Sequence, residues 1–273
     1  MHTLIPLLDD PYRIHMQDSS PGNREGNRNA DQDMSARKGR QNVKAGFQQM
    51  EGIVDSLIER HLIAEKPKNK IGAAIGFCVH LLVLAFTLVI VWTAKPSSSL
   101  FSWHPTLMTL AFVVLMPEAI LLFSPWSSPI TSPRSSKVRW HWLLQIGMAV
   151  SAVTGFIVIT ANKMLNGYPH YTSWHGMIGL YVLAALTFQM SGGLLHMYPG
   201  ILPFKVRMVT MKRIHALFGT ILFTVSMGVV SLGLYSSWFV ANVDDRLWLL
   251  CVVCVGVTQL YVLVQVLRNY ACR

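Results

Sequence analysis

Six long apolar stretches, separated by short polar connections, dominate the sequence from residue 71 onward. Each exceeds the roughly 20 residues that an α-helix needs to cross about 30 Å of hydrocarbon. Charged residues make up 13% of the chain, whereas soluble domains average about 25%. The sequence therefore predicts an all-α integral membrane protein with six transmembrane helices. The predicted spans are residues 71–93, 103–123, 140–162, 174–196, 213–236 and 246–268.

The first 69 residues differ in composition from the apolar stretches. Residues 1–42 are rich in Asn, Gly, Ser and charged side chains, which is typical of disordered segments. Between residues 43 and 64, apolar side chains recur at helical spacing, which predicts an amphipathic helix on the membrane surface. We therefore expect residues 1–69 to form a largely disordered tail with one amphipathic helix, and residues 269–273 to form a second, short tail. Translation from Met50 would leave all six spans intact.

Basic side chains are distributed unequally between the two sides of the predicted membrane domain. Twelve Lys and Arg residues flank the spans on the side of the termini, and three flank them on the opposite side. Because basic residues are retained on the cytoplasmic side, both termini are predicted to be cytoplasmic. The basic residues do not form one face with interleaved aromatic side chains, so no nucleic-acid partner is expected. The twelve are Lys66, Lys68, Lys70, Arg134, Lys137, Arg139, Lys205, Arg207, Lys212, Arg213, Arg268 and Arg273, and the three are Lys95, Lys163 and Arg246.

Four of the ten histidines lie near the points where the four central spans enter the membrane: His104, His141, His175 and His215. Successive spans run in opposite directions, so His104 and His175 lie near the outer face and the other two near the cytoplasmic face. A buried imidazole in a membrane is costly unless it is satisfied, and neutral imidazole nitrogen is a good axial ligand for haem iron. Two facing histidines fill both axial positions, which favours electron transfer over oxygen chemistry. The sequence therefore predicts a four-helix bundle, made of the second to fifth spans, that binds two haems.

The segments around these histidines resemble the cytochrome b561 family over residues 71–268. The compact form of the chain, without fused domains, is similar to the small domain-containing transmembrane reductases of that family. The segments that carry the resemblance are Ser99-Leu100-Phe101-Ser102-Trp103-His104-Pro105, Trp140-His141-Trp142, Trp174-His175-Gly176, Arg213-Ile214-His215-Ala216 and Tyr235-Ser236-Ser237-Trp238-Phe239.

The resemblance implies a cofactor content, a ligand set and a reaction. It implies two haems b, with His104 and His175 as axial iron ligands of the outer haem and His141 and His215 as those of the cytoplasmic haem. It also implies ascorbate as cytoplasmic electron donor, and monodehydroascorbate or ferric iron as acceptor on the lumenal or extracellular side. The chain would then be a transmembrane ascorbate-dependent reductase, expected in an endomembrane (ER or vesicle) in preference to the plasma membrane. Members of the family often pair, so a homodimer is a further expectation.

Polar residues near the two predicted haems are candidates for substrate binding. Ascorbate is an anion at neutral pH, and four cations flank His141 and His215. The positive-inside rule explains these cations equally well. On the outer face, His170 lies in a polar loop that could receive the acceptor or an iron ion, although a surface role also explains it. The four cations are Lys137, Arg139, Lys212 and Arg213.

Two other classes of function compete with the reductase hypothesis. A proton-coupled or metal-ion transporter would place acidic and polar residues at the middle of the membrane, but Glu118 is the only acidic residue within the predicted spans. A redox-inactive membrane scaffold would keep the bundle alone. Glu118 and His80 could take part in proton transfer or form structural hydrogen bonds, and we expect His196 at the membrane interface.

Overall fold

The structure, a computed structural model, describes residues 22–65, 70–124, 133–198 and 207–271. Throughout these residues the regular structure is helical. The chain divides into two units, with a boundary after Glu65, and each unit is described by itself. The first contains one helix, and the second contains the predicted membrane domain.

Among the described residues of the second unit, six helical segments are long and apolar enough to cross a membrane. This number confirms the prediction of an all-α membrane protein with six spans. The segments are α2 (Lys70–Ala94), the segment Leu100–Leu121 that includes α3 and α4, α5 (Arg134–Leu165), α6 (Trp174–Met197), α7 (Met208–Leu234) and α9 (Asp245–Ala271). A short helix, α8 (Ser237–Asn242), precedes α9.

The second span is not one continuous α-helix. It consists of α3 (Leu100–Thr109), a π-helical segment (Leu110–Leu115) and α4 (Met116–Leu121). Pro105 lies inside α3 and Pro117 lies in the first turn of α4, and neither has an N–H for the helical hydrogen-bond ladder. Because π-helical turns hold more residues than α-helical turns, the residues of α4 face a different direction from those in an uninterrupted α-helix.

The four central spans form the inner bundle, and α2 and α9 pack against its outside. Helix α3 contacts α5, and α6 contacts α7, while α2 contacts α3 and α9, and α9 also contacts α7. Side chains such as Met148, Phe223 and Met227 are fully buried between these helices. In contrast, Trp92 is 81% exposed and Phe188 is 69% exposed. An outer surface of large apolar side chains is what lipid contact requires.

Helix α1 (Gly22–Glu65) forms the first unit. It contains the segment predicted to be an amphipathic helix, whose placement on a membrane surface stays a prediction. We expected disorder through residue 42, but residues 22–42 are helical; the segment includes no proline, the residue that opposes a helix most strongly. Residues 1–21 lie outside the described residues. At the other end, α9 continues to Ala271, so most of the predicted short tail is helical.

Candidate haem-binding sites

His104 and His175 face each other inside the bundle. His104 lies in the second turn of α3, and His175 lies in the first turn of α6. Their ring centroids are 6.1 Å apart, and the ring planes are at 88° to each other. Because a metal–imidazole bond is about 2 Å long, one metal bound by both rings would place their centroids about 6 Å apart. The observed spacing therefore fits a single iron between these two rings.

The Nδ1 atoms of both histidines bind backbone carbonyls of other helices. His104 Nδ1 donates to the Gly155 carbonyl oxygen of α5 at 3.1 Å, and His175 Nδ1 donates to the Val229 carbonyl oxygen of α7 at 2.9 Å. A carbonyl oxygen can only accept, so the proton of each neutral ring is on Nδ1. This leaves the lone pair of Nε2 free to bind a metal, which is the usual arrangement of metal-binding histidines.

A cavity of about 320 Å³ lies between these two histidines and extends to the surface loop before α6. Its volume is in the range of small-molecule and cofactor sites, roughly 300–1,000 Å³. Its walls are mainly apolar and include Phe86 of α2 and Phe112 of the π-helical segment. At Gly233 a Cβ atom would lie 3.2 Å from Cε1 of His175. The missing side chain therefore leaves room for the imidazole, and the cavity suits a large apolar group.

His141 is held in the same way, by a carbonyl that the end of α4 leaves unpaired. His141 Nδ1 donates to the Ala119 carbonyl oxygen at 2.9 Å. In a continuing α-helix, the Phe123 N–H would bind that oxygen. Here the Phe123 N–H binds the Ile120 carbonyl at 3.3 Å instead, because the chain leaves the α-helical conformation at this point. The Ala119 oxygen is thus available to the imidazole, and Nε2 of His141 is again left for a metal.

His215 shares a site with His141 but has different partners. Both are the eighth residue of their helix, α5 or α7, and the two imidazoles lie within electrostatic range of each other. The Gln189 amide nitrogen donates to the His215 carbonyl oxygen at 2.9 Å and lies 3.3 Å from His215 Nε2. Gly219 makes room for this amide, because a Cβ there would lie 2.6 Å from it. Among the described residues, no hydrogen-bond partner reaches the buried Nδ1 of His215.

The sequence did not predict the contact between His196 and His215. The His196 ring is half-buried and packs against His215, with ring centroids 5.5 Å apart and ring planes at 87°. Its expected position at the membrane interface stays a prediction. Gly193 lies between Gln189 and His196 on α6, and a Cβ there would be 3.3 Å from Cε1 of His215. Helix α6 therefore surrounds the His215 imidazole with an amide, a glycine and a second imidazole.

The set of donor atoms distinguishes between a bare metal ion and haem. In the part of the chain that the structure describes, no group of three or more His, Cys, Asp or Glu side chains could hold a metal ion. A durable bare-metal site needs several protein ligands. Haem iron needs two protein ligands at most, because the porphyrin supplies the other four. Two imidazoles at each end of the bundle therefore fit haem, and the walls around His104 and His175 are mainly apolar.

Comparison with known families agrees with this chemistry. The family model described as eukaryotic cytochrome b561 matches residues 103–240, which contain all four histidines. The chain belongs to the cytochrome b561 family. Cytochromes b561 bind haem b, so the type of cofactor follows from the family.

Several relatives of this cytochrome b561 carry reductase names. Transmembrane reductase CYB561D2 of Bos taurus is 39% identical over 199 residues, which cover 72% of this chain and 89% of the relative. Transmembrane ascorbate-dependent reductase CYB561 of Mus musculus is 27% identical over 184 residues, covering 63% of this chain and 72% of the relative. Transmembrane ascorbate ferrireductase 1 of Arabidopsis thaliana is 26% identical over 180 residues, covering 59% and 70%.

The four cations predicted near the cytoplasmic haem lie at the starts of α5 and α7. Lys137 is half-buried and lies one helical turn before His141 on the same face of α5. Arg139, Lys212 and Arg213 are exposed. The structure thus places positive charge next to both histidines of this site and leaves most of it accessible from the aqueous side.

His170 lies on the opposite side of this cytochrome b561, in the loop before α6. Its ring is exposed and contacts Tyr171, with ring centroids 5.8 Å apart. Lys163 donates from Nζ to the Pro169 carbonyl oxygen at 2.9 Å, which ties α5 to the same loop. His170, Tyr171 and Lys163 all line the cavity that contains His104 and His175. The loop therefore borders the entrance of the haem-sized cavity.

His80 and Glu118 form a pair that the sequence left unassigned. His80 Nδ1 lies 2.6 Å from Glu118 Oε1, and both side chains are about 30% exposed. The contact joins α2, outside the inner bundle, to α4 of the second span. Glu118 is followed by Ala119, whose carbonyl accepts from His141. The pair thus lies next to the backbone that holds one candidate ligand.

Proposed function

We propose that this chain is a transmembrane reductase that holds two haems b and transfers electrons from cytoplasmic ascorbate to an acceptor on the other side of the membrane. The acceptor is monodehydroascorbate or ferric iron. The observation that carries the proposal is the placement of two histidine pairs at opposite ends of the bundle. Three of the four imidazoles have Nδ1 bound to a carbonyl and Nε2 left for a metal.

The ligands follow from the two pairs. His104 and His175 would hold one haem, and His141 and His215 would hold the other. When both axial positions are filled by imidazole, haem supplies a one-electron carrier without an open position for oxygen. The backbone carbonyls that accept from Nδ1 of His104, His141 and His175 would fix the orientation of these three rings and raise the basicity of Nε2. The walls around His104 and His175 are mainly apolar, which suits the porphyrin ring.

The cations at the starts of α5 and α7 support ascorbate as donor. Ascorbate is an anion, and Lys137, Arg139, Lys212 and Arg213 would attract it to the side where His141 and His215 lie. Loss of one electron and one proton converts it to monodehydroascorbate. The names of two of the relatives given above include ascorbate, which agrees with this choice of donor.

The loop before α6 supports an acceptor site at the other end. Lys163 lies within electrostatic range of His104 and would attract an anionic acceptor. His170 adds an exposed imidazole that could bind an iron ion weakly. Because these residues border the cavity of His104 and His175, an acceptor bound there would lie close to the haem edge.

The topology of the reductase follows from its basic residues. The excess of Lys and Arg on the side of the termini supports cytoplasmic termini, and hence ascorbate entry from the cytoplasm. We place the protein in an endomembrane, with lipid around the apolar outer surface, and we expect a homodimer. Protease accessibility of residues 22–65 in sealed microsomes would test the orientation, since cytoplasmic residues would be cleaved without detergent.

Haem content of the purified chain tests the proposal. We expect about two haems b per chain by pyridine haemochrome, both reduced when ascorbate is added. His141→Ala removes one of two axial ligands, so haem content should fall to about one per chain. Leu143→Ala, at an exposed position on the same helix, is the matched control and should leave the haem content unchanged. A chain that binds no haem would favour a transporter or a scaffold, and His141→Ala with two haems would refute the ligand assignment.

A further inference from the structure

The four candidate ligands differ in how their second ring nitrogen is satisfied. In His104, His141 and His175, Nδ1 donates to a backbone carbonyl of another helix, at distances between 2.9 and 3.1 Å. His215 lacks this contact, and among the described residues no partner reaches its buried Nδ1. A metal-binding histidine almost always donates its other N–H to an acceptor. The His215 site therefore calls for an acceptor of a different kind.

Gln189 does not supply that acceptor. Its amide nitrogen donates to the His215 carbonyl and faces His215 Nε2. An amide nitrogen has protons and no lone pair to offer, so it cannot accept the Nδ1 proton. Gln189 therefore holds the backbone of α7 at this position and leaves the ring nitrogen without an acceptor.

The neighbouring imidazole of His196 is the candidate for this acceptor. It lies in the last turn of α6, and its ring packs edge-on against the ring of His215, with centroids 5.5 Å apart. Its Nδ1 is also buried, and none of the described residues binds it. Buried polar atoms without a partner are rare in folded proteins, and each needs an explanation. Here two such nitrogens occur on neighbouring rings of one site, and a neutral imidazole offers one donor and one acceptor.

The backbone of α6 lets the two rings approach each other. Gly192 and Gly193 precede His196 by one turn, and Cβ atoms there would lie 3.8 Å from Nδ1 and 3.3 Å from Cε1 of His215. Larger side chains at these positions would push the His215 ring away from α6.

We propose that His196 is a positioning residue for His215 and that, in the haem-bound protein, it accepts the Nδ1–H of His215 in place of the backbone carbonyl used by the other three ligands. The inference rests on the proposed function, because it assigns a partner to a proposed haem ligand. A hydrogen bond from Nδ1 increases the electron donation of the ligand and stabilises ferric iron relative to ferrous iron. Loss of the acceptor should therefore raise the midpoint potential of the haem at His141 and His215.

Redox titration of the full-length purified protein tests this role, together with the low-temperature EPR spectrum of the ferric state. His196→Leu removes the acceptor, whereas His196→Gln keeps a side-chain oxygen that can accept. We expect His196→Leu to retain two haems, with one midpoint potential raised and one low-spin EPR signal shifted. His196→Gln should return both values towards those of the wild type. Met197→Leu, an exposed position in the same helical turn, serves as matched control and should change neither.

Each other result has a definite meaning. Unchanged potentials and EPR signals in His196→Leu would overturn the positioning role while leaving the two-haem proposal intact. Loss of one haem in both His196→Leu and His196→Gln would show that His196 itself ligates iron, which also overturns the role stated here. A wild-type chain without haem would overturn the proposed function and this inference together.

Discussion

At the residue scale, three of the four candidate ligands are oriented by backbone carbonyls, which any residue could supply. The carbonyls of Gly155, Val229 and Ala119 accept from three imidazoles. Each carbonyl fixes the tautomer of its histidine and so decides which nitrogen can face a metal. The ability of a ligand to bind iron therefore depends on the packing of a neighbouring helix as much as on the histidine itself.

The pair formed by His80 and Glu118 should stabilise the contact between α2 and the second span. Hydrogen bonds that involve a charged group contribute about 1.5–3 kcal/mol, and partial exposure reduces this to about 1 kcal/mol. We expect a coupling energy of about 1 kcal/mol between His80→Leu and Glu118→Leu. A double-mutant cycle on unfolding in mixed detergent micelles would measure it. Strictly additive effects of the two substitutions would contradict a direct interaction in the folded protein.

The residues that the sequence could and could not identify differ in a physical way. The four histidines were predictable because burying a polar imidazole in an apolar span is costly unless the imidazole has a partner. Four such histidines at the ends of antiparallel spans suggest pairs. The acceptor carbonyls were not predictable, because every residue has one. The contact of His196 with His215 also escaped prediction, since it depends on the close approach of α6 and α7.

At the element scale, length and hydropathy were enough to predict the six spans, but not the form of the second one. Apolar side chains fit an α-helix and a π-helix equally well, so Leu110–Leu115 gives no compositional signal of its conformation. Its position between Pro105 and Pro117 is the one local hint. The form of the second span affects the candidate haem site, because α4 then ends where the Ala119 carbonyl oxygen accepts from His141.

Substitution of two glycines on α7 would test how much space the His175 imidazole needs beside this helix. Gly233→Ala would place a Cβ atom 3.2 Å from Cε1 of His175, and the imidazole must then shift towards the cavity. We expect a weaker bond to the Val229 carbonyl and lower haem occupancy, measured by pyridine haemochrome. At Gly228, on the same helix, an added Cβ atom would have no neighbour within 4 Å. Gly228→Ala should keep full haem occupancy and should raise the free energy of unfolding by up to about 1 kcal/mol.

The comparison between these two variants is informative because they change the same helix by the same atom. Full haem content in both Gly233→Ala and Gly228→Ala would mean that the His175 ring is not constrained by α7. Loss of haem in both would point to a general loss of helix packing.

At the scale of the whole molecule, the two histidine pairs divide the membrane crossing into shorter steps. His141 and His215 lie two turns inside α5 and α7, whereas His104 and His175 lie near the starts of α3 and α6. Moving charge through a region of low dielectric constant is costly, so carriers near both faces favour electron transfer across it. Neither pair alone spans the membrane.

Electron transfer across a sealed vesicle should therefore require both pairs. We expect wild-type protein, in vesicles loaded with ascorbate, to reduce a membrane-impermeant ferric chelate outside. His104→Ala should abolish this reduction, because it removes a ligand of the pair on the acceptor side. The same variant should still take up electrons from ascorbate through the haem at His141 and His215, seen as a ferrous absorption band. Wild-type rates of chelate reduction by His104→Ala would show that the acceptor takes electrons without this pair. If the variant also lost the reduction of its remaining haem by ascorbate, the two pairs would not be independent.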